Sequence, residues 1–190
     1  MSSPFVHTRP VAPPVFQGRS GDLRRITSHI CDKGTSWGIV SEARAGATSL
    51  LNQAEQTLRS APRLVCSRVD LGVQDSAYNA RAFWADALAP LRAGTAGPRI
   101  QALTDAALSS PTPEALAGIA AELELRRTRL VLFLDDFDAI LYLPNIREHR
   151  LLAVLRSLAQ RDPPPICLVF STRTDLESLG RALERHSSCM

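Results

Sequence analysis

Three clusters of polar residues could carry chemistry in this chain, and each follows a short apolar run. The first is the small-residue loop 41–48, which leads into a helical pattern. Backbone N–H groups and hydroxyls at the start of a helix bind anions such as phosphate. The second is the pair Asp135 and Asp136, and carboxylates bind Mg²⁺ or accept protons. The third is 171–173, which ends in Arg173, a residue type that binds phosphate.

The basic residues are almost all arginines. Of the 22 Lys and Arg residues, the only lysine is Lys33, which lies before the first cluster. A GC-rich genome would account for this preference. Even so, any function that requires a lysine side chain has this single candidate.

Length and composition are those of one folded domain. The chain has 190 residues, of which 45% are hydrophobic and 22% charged, with a formal net charge of +3. No apolar run approaches the roughly 20 residues that span a bilayer, and the amino terminus has no signal-peptide pattern, so we expect a cytoplasmic protein without a membrane partner. The cysteine spacing argues against a disulfide framework and a zinc site, and we expect Cys31, Cys66 and Cys167 to be buried.

The elements that must position the three clusters alternate along the chain. Apolar runs predict four strands, at 37–40, 63–71, 130–134 and 166–171. Helical spacing predicts helices at 20–33, 47–59, 78–91, 98–108, 113–127, 147–160 and 175–186. This alternation is typical of an α/β fold with a parallel sheet, in which ligands bind at the carboxyl ends of the strands. All three polar clusters fall there.

Two segments stand apart from the regular alternation. Residues 1–18 are rich in proline and predict an extended amino-terminal segment. Residues 73–127 predict a helical insertion between the second and third strands. We treat 1–190 as a single domain that contains both.

The order of these motifs resembles the AAA-like P-loop NTPase domains of the STAND class, found in bacterial signalling and conflict proteins. Such domains open with a proline-rich segment, here 4–23. They continue with a Walker A loop, here SEARAGATSLL from Ser41, and a Walker B strand, here LVLFLDDFDAI from Leu130. A sensor region follows, here LVFSTR from Leu168. The resemblance covers most of the chain and implies a three-layer P-loop NTPase core, a mostly parallel sheet flanked by helices. Relatives continue with a helical lid, which we expect this chain to lack.

The resemblance also implies roles for single residues. A nucleotide would lie on the Walker A loop, whose residues are Ser41, Glu42, Arg44, Gly46, Ala47, Thr48 and Ser49. Thr48 and Asp135 would hold Mg²⁺ if a nucleotide binds, Asp136 stands at the position of the Walker B base, and Arg173 is sensor-like. Structural alternatives stay open, because Asp is also a favoured residue at helix starts and an arginine after a strand often serves only the surface.

The Walker A loop departs from the family pattern at the residues that bind the phosphates. Ser41 replaces the first glycine, and Ala47 replaces the lysine that neutralises the β and γ phosphates. Glu42 adds a negative charge beside the phosphate position. Lys33 lies too early in the chain to substitute, and relatives that keep the lysine also have an arginine at the position of Arg44. At the Walker B position, the family's catalytic glutamate is replaced by a shorter aspartate.

We therefore predict a catalytically inactive STAND- or AAA-like domain, a pseudo-ATPase that acts as a protein-interaction, adaptor or oligomerisation module in bacterial signalling or defence. We expect no cofactor beyond weak binding of ATP and Mg²⁺, and a protein partner, an effector module or a second copy of the chain. Two alternatives remain open. One is a divergent but functional ATPase that uses Arg44 or a partner's cation. The other is a nucleic-acid-binding AAA-like regulator.

Overall fold

The computed structural model describes residues 18–94, 96–147 and 151–187. The proline-rich segment predicted over 1–18 lies outside the described residues except for Gly18. In chain order the helices are α1 (Ser20–Ser28), α2 (Ala47–Arg59), α3 (Ala80–Ala87), α4 (Ala89–Arg92), α5 (Pro98–Ser109), α6 (Pro113–Leu125), α7 (Pro144–Arg147), α8 (Leu151–Ala159) and α9 (Leu176–Ser187). A π-helical turn, His29–Lys33, extends α1, and a 3-10 helix spans Phe137–Tyr142.

The sheet has four parallel strands in the order β1-β4-β3-β2. They are β1 (Trp37–Val40), β2 (Leu64–Asp70), β3 (Arg129–Asp135) and β4 (Ile166–Thr172). The last residues of neighbouring strands are paired, Val40 with Thr172 and Asp70 with Asp135. All four strands therefore end at the same edge of the sheet, and the three polar clusters meet there.

Helices cover both faces of this sheet. One apolar core lies between the sheet and the pair α1 and α2, and it contains Ile26, Leu50 and Phe133. The other lies against helices α3 to α8 and contains Trp84, Leu132 and further apolar residues. The central strand β3 is buried on both faces, which explains its unbroken hydrophobic run. The predicted three-layer α/β P-loop core is confirmed.

The alternation of side chains decides which polar residues reach the face under α2. Cys66 of β2, Val131 and Phe133 of β3, and Cys167 and Val169 of β4 all pack in the core on the α2 side. Successive residues of a strand point to opposite faces. Two residues further along each strand, the same face therefore carries the polar residues Arg68, Asp135 and Ser171.

Several predicted boundaries differ from the structure. The helix predicted over 78–91 is two helices, because Leu88 leaves the helical conformation with ψ near 2° and α4 begins at Ala89, with Pro90 in its first turn. Of the helix predicted over 147–160, the structure describes α8 from Leu151 to Ala159, and Arg147 is the last described residue of the short helix α7. The 3-10 helix after β3 carries no pattern that sequence analysis recognised.

Two of the three cysteines that we expected to be buried are buried, Cys66 and Cys167, but Cys31 is exposed. The buried side of the first helical segment carries Ile26 and Ile30. Cys31 follows directly after Ile30 and so points away from that side. Within the described part of the chain, no helix is long and apolar enough to cross a membrane.

Candidate functional site at the carboxyl ends of the strands

The loop between β1 and α2 is fixed at its start and tightly turned. The N–H of Ser41 donates to the carbonyl oxygen of Thr172 at 3.1 Å, which ties the loop to β4. The N–H of Ala45 donates to the carbonyl oxygen of Glu42 at 3.1 Å and closes a turn. Gly46 then adopts φ +82°, a left-handed conformation that glycine accepts without strain. The loop thus delivers the chain directly into the first turn of α2.

Arg44 also has a left-handed backbone, with φ 65°, although it is not a glycine. A residue with a side chain adopts this conformation at a cost. Glu42 and Arg44 are both exposed. The outer side of the loop is tied to α1 by Arg19, whose Nη1 donates to the carbonyl oxygen of Ala45 at 3.2 Å while its Nε pairs with Asp22 at 3.0 Å.

The start of α2 offers hydroxyls but no charge. Ala47 is half-buried and packs against the core on the α2 side. Thr48 follows, and its Oγ1 donates to Oδ1 of Asp135 at 3.3 Å. Ser49 is buried. Ala47, which the sequence analysis predicted at the Walker A lysine position, therefore presents a methyl group and no ammonium group there.

Asp135 is the most engaged side chain of the site, and only 2% of the residue is exposed. Its Oδ1 accepts from the hydroxyl of Ser171 at 2.5 Å and from the N–H of Asp136 at 3.2 Å, besides Thr48. Its Oδ2 accepts from the guanidinium group of Arg68. Of the four protein donors to this carboxylate, three converge on Oδ1 and one, Arg68, is on Oδ2.

Arg68 was not among the predicted site residues, yet it provides the cation of the site. Its Nη2 pairs with Asp135, and its Nη1 donates to Oδ1 of Asn52 and lies 3.6 Å from Oε2 of Glu55. The Arg68 side chain is 22% exposed and that of Glu55 is 11% exposed. Glu55 also pairs with Arg59 at 2.6 Å. Two guanidinium groups thus balance two carboxylates beneath α2.

Asp136 lies on the outer side of this corner. Its backbone is left-handed, with φ 49°, and its N–H donates to Oγ of Ser171 at 2.9 Å. Its Oδ1 accepts from Nη2 of Arg173 at 3.2 Å, and its carboxylate packs on Gly72, where a Cβ would meet Oδ2 at 2.6 Å. The N–H of Arg173 donates to Asp138 at 3.3 Å. The side chain of Asp136 therefore contacts Arg173 on one side and Gly72 on the other.

Asp70, the last residue of β2, adds a further carboxylate to the corner. Burial raises its pKa, and repulsion from Asp135 adds to that rise. The N–H of Gly72, which donates to Asp70 Oδ1 at 3.0 Å, acts in the opposite direction, as does the charge of Arg68. The net rise in pKa therefore reflects burial first and the neighbouring carboxylate of Asp135 second.

The structure brings some predicted site residues together and separates others. Thr48, Asp135, Asp136 and Arg173 form a chain of contacts through Ser171. Of the loop residues, Glu42 and Arg44 are exposed away from that chain of contacts. The alternation of β2 predicts that Arg68 shares a face with Cys66, but its contact with Asp135 depends on β2 lying beside β3.

These residues do not fit a bound Mg²⁺ as they are arranged. In P-loop NTPases, the hydroxyl that follows the lysine and the Walker B aspartate hold the metal ion. We predicted Thr48 and Asp135 for these roles, but Asp135 is committed to Arg68, Ser171 and Thr48 itself. A metal ion would have to displace Arg68 from a mostly buried ion pair.

Comparisons with known proteins define the fold. No model of a known protein family matches the chain, and no curated protein matches it. The Aeropyrum pernix ORC2 protein in its ADPNP–ADP complexes matches with a TM-score of 0.56 and 17% identity, over 94% of this chain and 46% of that one. The ADP form of the same protein gives a TM-score of 0.57 and 18% identity, over 93% and 47%. At these identities the likeness shows an AAA-like P-loop fold, and this chain spans about half the length of those structures.

Proposed function

We propose that this chain is a non-catalytic AAA-like P-loop domain of the STAND type, whose degenerate Walker A loop has lost ATP hydrolysis. It acts as a protein-interaction module, an adaptor or an oligomerisation unit, in a bacterial signalling or defence system in the cytoplasm. The AAA-like fold supports the domain type, and the STAND-like motifs that begin at Ser41, Leu130 and Leu168 support the class.

The observation that carries this proposal is the side chain at the start of α2, where Ala47, at the lysine position of the predicted Walker A loop, presents only a methyl group. Two arginines that contact the loop or the Walker B strand are committed to carboxylates. Arg19 pairs with Asp22, and Arg68 pairs with Asp135. Loss of an electrostatic clamp on a transferring phosphoryl group costs about 3–4 kcal/mol of transition-state stabilisation.

The catalytic end of the site supports the same conclusion. The side chain of Asp136 is 35% exposed, but its carboxylate already accepts a hydrogen bond from Arg173 and packs on Gly72, so a water-orienting role would compete with that ion pair. The apolar cores on both sheet faces are nevertheless complete. A folded domain that keeps its core but commits its catalytic groups to one another is suited to binding other proteins.

The test restores the missing charge. We expect the wild-type protein to bind ATP weakly and to show no turnover with Mg-ATP. The double variant Ala47→Lys with Ser41→Gly should gain about tenfold or more in ATP affinity, a change of about 1.4 kcal/mol, measured by calorimetric titration. The matched control is Ala43→Lys, which adds the same charge to an exposed position of the same loop and should give no gain.

Two results would contradict the proposal. One is Mg-ATP turnover by the wild-type protein that Asp135→Ala abolishes. The other is a change of assembly state of the wild-type protein on addition of Mg-ATP, measured by analytical ultracentrifugation. We expect the sedimentation of the protein to be the same with and without nucleotide.

A divergent ATPase is the second candidate. The similar structures of the Aeropyrum pernix ORC2 protein hold ADPNP or ADP, and Arg44 is an exposed cation at the turn of the loop. Under this alternative Arg44 contacts the phosphates, so that Arg44→Gln lowers ATP affinity in the wild-type background. We expect no effect of Arg44→Gln on ATP binding.

A further inference from the structure

The ion pair between Arg68 and Asp135 lies where two neighbouring strands place a long cation beside a buried anion. β2 and β3 are paired so that Arg68 stands opposite Phe133, two residues before Asp135 on the same face. A diagonal neighbour of this kind is within reach of a long side chain. The guanidinium group thus reaches Asp135 from the next strand, without any contribution from the Walker A loop.

We propose that Arg68 is the resident cation of this site and that its guanidinium group takes the place at Asp135 that a divalent metal ion would take. The domain then keeps one arrangement of α2, β2 and β3 in the presence and in the absence of metal. This inference deepens the proposed function and rests on it, because a domain that does not hydrolyse ATP has no use for a metal at Asp135.

Charge balance favours the arginine over a metal ion. Asp135 and Glu55 are paired with Arg68 and Arg59, and the ionised carboxylate of Asp70 beside Asp135 leaves the cluster with one net negative charge. A divalent cation added while Arg68 stays would exceed that charge and would stand next to a guanidinium group in a mostly buried place, which is costly. A metal ion could enter only if Arg68 left, and the buried guanidinium group would then lose its carboxylate partner.

The hydrogen bonds around the pair make Arg68 difficult to displace. The second arm of its guanidinium group donates to Asn52 of α2, so the side chain bridges the helix and two strands. Ser171 and Thr48 both donate to the other oxygen of Asp135. The carboxylate is therefore oriented with one oxygen toward hydroxyls and the other toward the arginine.

Removal of the arginine should create the metal site that the wild-type protein lacks. Without Arg68, the carboxylates of Asp135 and Glu55 face the space left by its guanidinium group, beside the amide oxygen of Asn52. Oxygen ligands of this type suit Mg²⁺ and Mn²⁺. We expect Arg68→Gln to bind one Mn²⁺ ion per chain and the wild-type protein to bind none at that position, as measured by titration of the Mn²⁺ electron paramagnetic resonance signal.

Thermal unfolding gives a second, independent measurement. Arg68→Gln leaves Asp135 without its cation, and we expect the midpoint of unfolding to fall by about 10 °C. Millimolar MgCl₂ should restore at least half of this loss, whereas NaCl of equal ionic strength should not. The wild-type midpoint should not respond to MgCl₂. The control Arg92→Gln removes an exposed pair with Asp105 and should change neither metal binding nor the midpoint.

A double variant keeps the test decisive if Arg68→Gln does not fold. In Arg68→Gln with Asp135→Asn, both charges are absent and the two amides can pair, so we expect this protein to fold and to bind no Mn²⁺. Bound Mn²⁺ on the wild-type protein that Asp135→Asn removes would overturn the inference. Failure of Mg²⁺ and Mn²⁺ to bind or stabilise a folded Arg68→Gln protein would overturn it as well.

These results are distinct from a failure of the proposed function. Turnover of ATP by a wild-type protein that takes up no Mn²⁺ would contradict the proposed loss of hydrolysis and leave Arg68 as the resident cation. Uptake of Mn²⁺ at Asp135 of the wild-type protein without turnover would contradict only the proposed role of Arg68. The proposed loss of hydrolysis would stand.

Discussion

Two buried acids, Asp135 at the edge of the sheet and Glu122 of α6, are both paired with arginine but in different surroundings. The partners of Glu122 are Arg99 and Arg126, at 3.0 and 2.7 Å, and the side chains of these arginines are 71% and 39% exposed. Asp135 has a partner that is only 22% exposed and two hydroxyl donors in addition. Water can replace the arginines of Glu122, but it has little access to Arg68.

The ion pairs of Glu122 have arginines at the surface, whereas the ion pair of Asp135 is enclosed by residues of several elements. Arg99 of α5 joins that helix to Glu122 of α6, whereas Arg126, at the end of α6, pairs with Glu122 within one helical turn; both arginines remain hydrated on the outside of the helical insertion. The pair of Asp135 joins α2, β2, β3 and β4 at the point where P-loop NTPases bind nucleotide. The same chemical groups therefore have a local role in one region and hold together a whole corner of the fold in the other.

The largest expected difference between the two regions follows from removing each acid's charge. Asp135→Asn removes the closer of the two carboxylates that contact the mostly buried Arg68 and leaves Glu55 at 3.6 Å, and we expect the free energy of unfolding to fall by about 3 kcal/mol. Glu122→Gln leaves arginines that water can solvate, so the expected loss is about 1 kcal/mol. Urea denaturation of both variants measures the two values. Equal losses of unfolding free energy in the two variants would show that the ion pairs of Asp135 and Glu122 contribute equally to stability.

Two glycines provide a smaller contrast between the same regions. An added methyl group at Gly72 would lie 2.6 Å from Oδ2 of Asp136, whereas one at Gly118 of α6 meets no heavy atom within 4 Å. We expect Gly72→Ala to destabilise the protein by about 1–2 kcal/mol because the side chain of Asp136 must move. Gly118→Ala should stabilise it by about 0.5–1 kcal/mol, since alanine favours a helix interior.

Thermal unfolding of the two alanine variants measures this contrast, and the ion pair between Asp136 and Arg173 gives a second readout. A crystal structure of Gly72→Ala should show that pair broken or displaced. A Gly72→Ala protein as stable as the wild type, with the pair intact, would mean that the corner has more room than the structure indicates.

The smallest expected effect concerns the raised pKa of Asp70. Its pKa is raised on folding, chiefly by burial, so the charged form costs stability at neutral pH and the cost vanishes as the pH falls through the raised pKa toward the unfolded value. Asp70→Asn should therefore be more stable than the wild type at neutral pH by less than about 1 kcal/mol. Below the unfolded pKa near 3.8, the advantage should be gone.

The test is a pair of denaturation series, one at neutral and one at acidic pH, on the wild type and on Asp70→Asn. Asn keeps an oxygen that can accept the hydrogen bond from Gly72, so the variant changes charge without removing that contact. An advantage of Asp70→Asn that grows as the pH falls would reverse the sign and show that the carboxylate of Asp70 is favoured in the folded protein.

The sequence predicted the fold because the apolar runs and their spacing depend on local patterns. The run that ends in Asp135 is hydrophobic on both faces, which only a central strand requires, and the structure buries it on both sides. The break at Leu88 escaped prediction because Phe83, Trp84, Leu88 and Leu91 keep helical spacing across it. All four are buried in one core, and packing of that kind does not require a continuous helix.

Arg68 escaped prediction for a different reason. Its own strand shows that it shares a face with Cys66, but the contact with Asp135 depends on β2 lying directly beside β3 in register. The order of strands in a parallel sheet is set by the crossover connections, and sequence order does not reveal it. Sequence order therefore indicates only Lys33 and Arg44, which lie near the loop in sequence, as replacements for the missing lysine.

The pairing of Arg68 with Asp135 also bears on how such a domain can evolve. A lysine at position 47 alone would add a phosphate-binding charge but leave the carboxylate closed to metal. Loss of the arginine alone would open the carboxylate while removing the partner that stabilises it. If Arg68 is the resident cation, metal-dependent chemistry at this corner thus requires at least two substitutions. Loss of the arginine before the gain of the lysine would lower stability. An ion pair of this kind therefore makes the return to a metal site by single substitutions difficult.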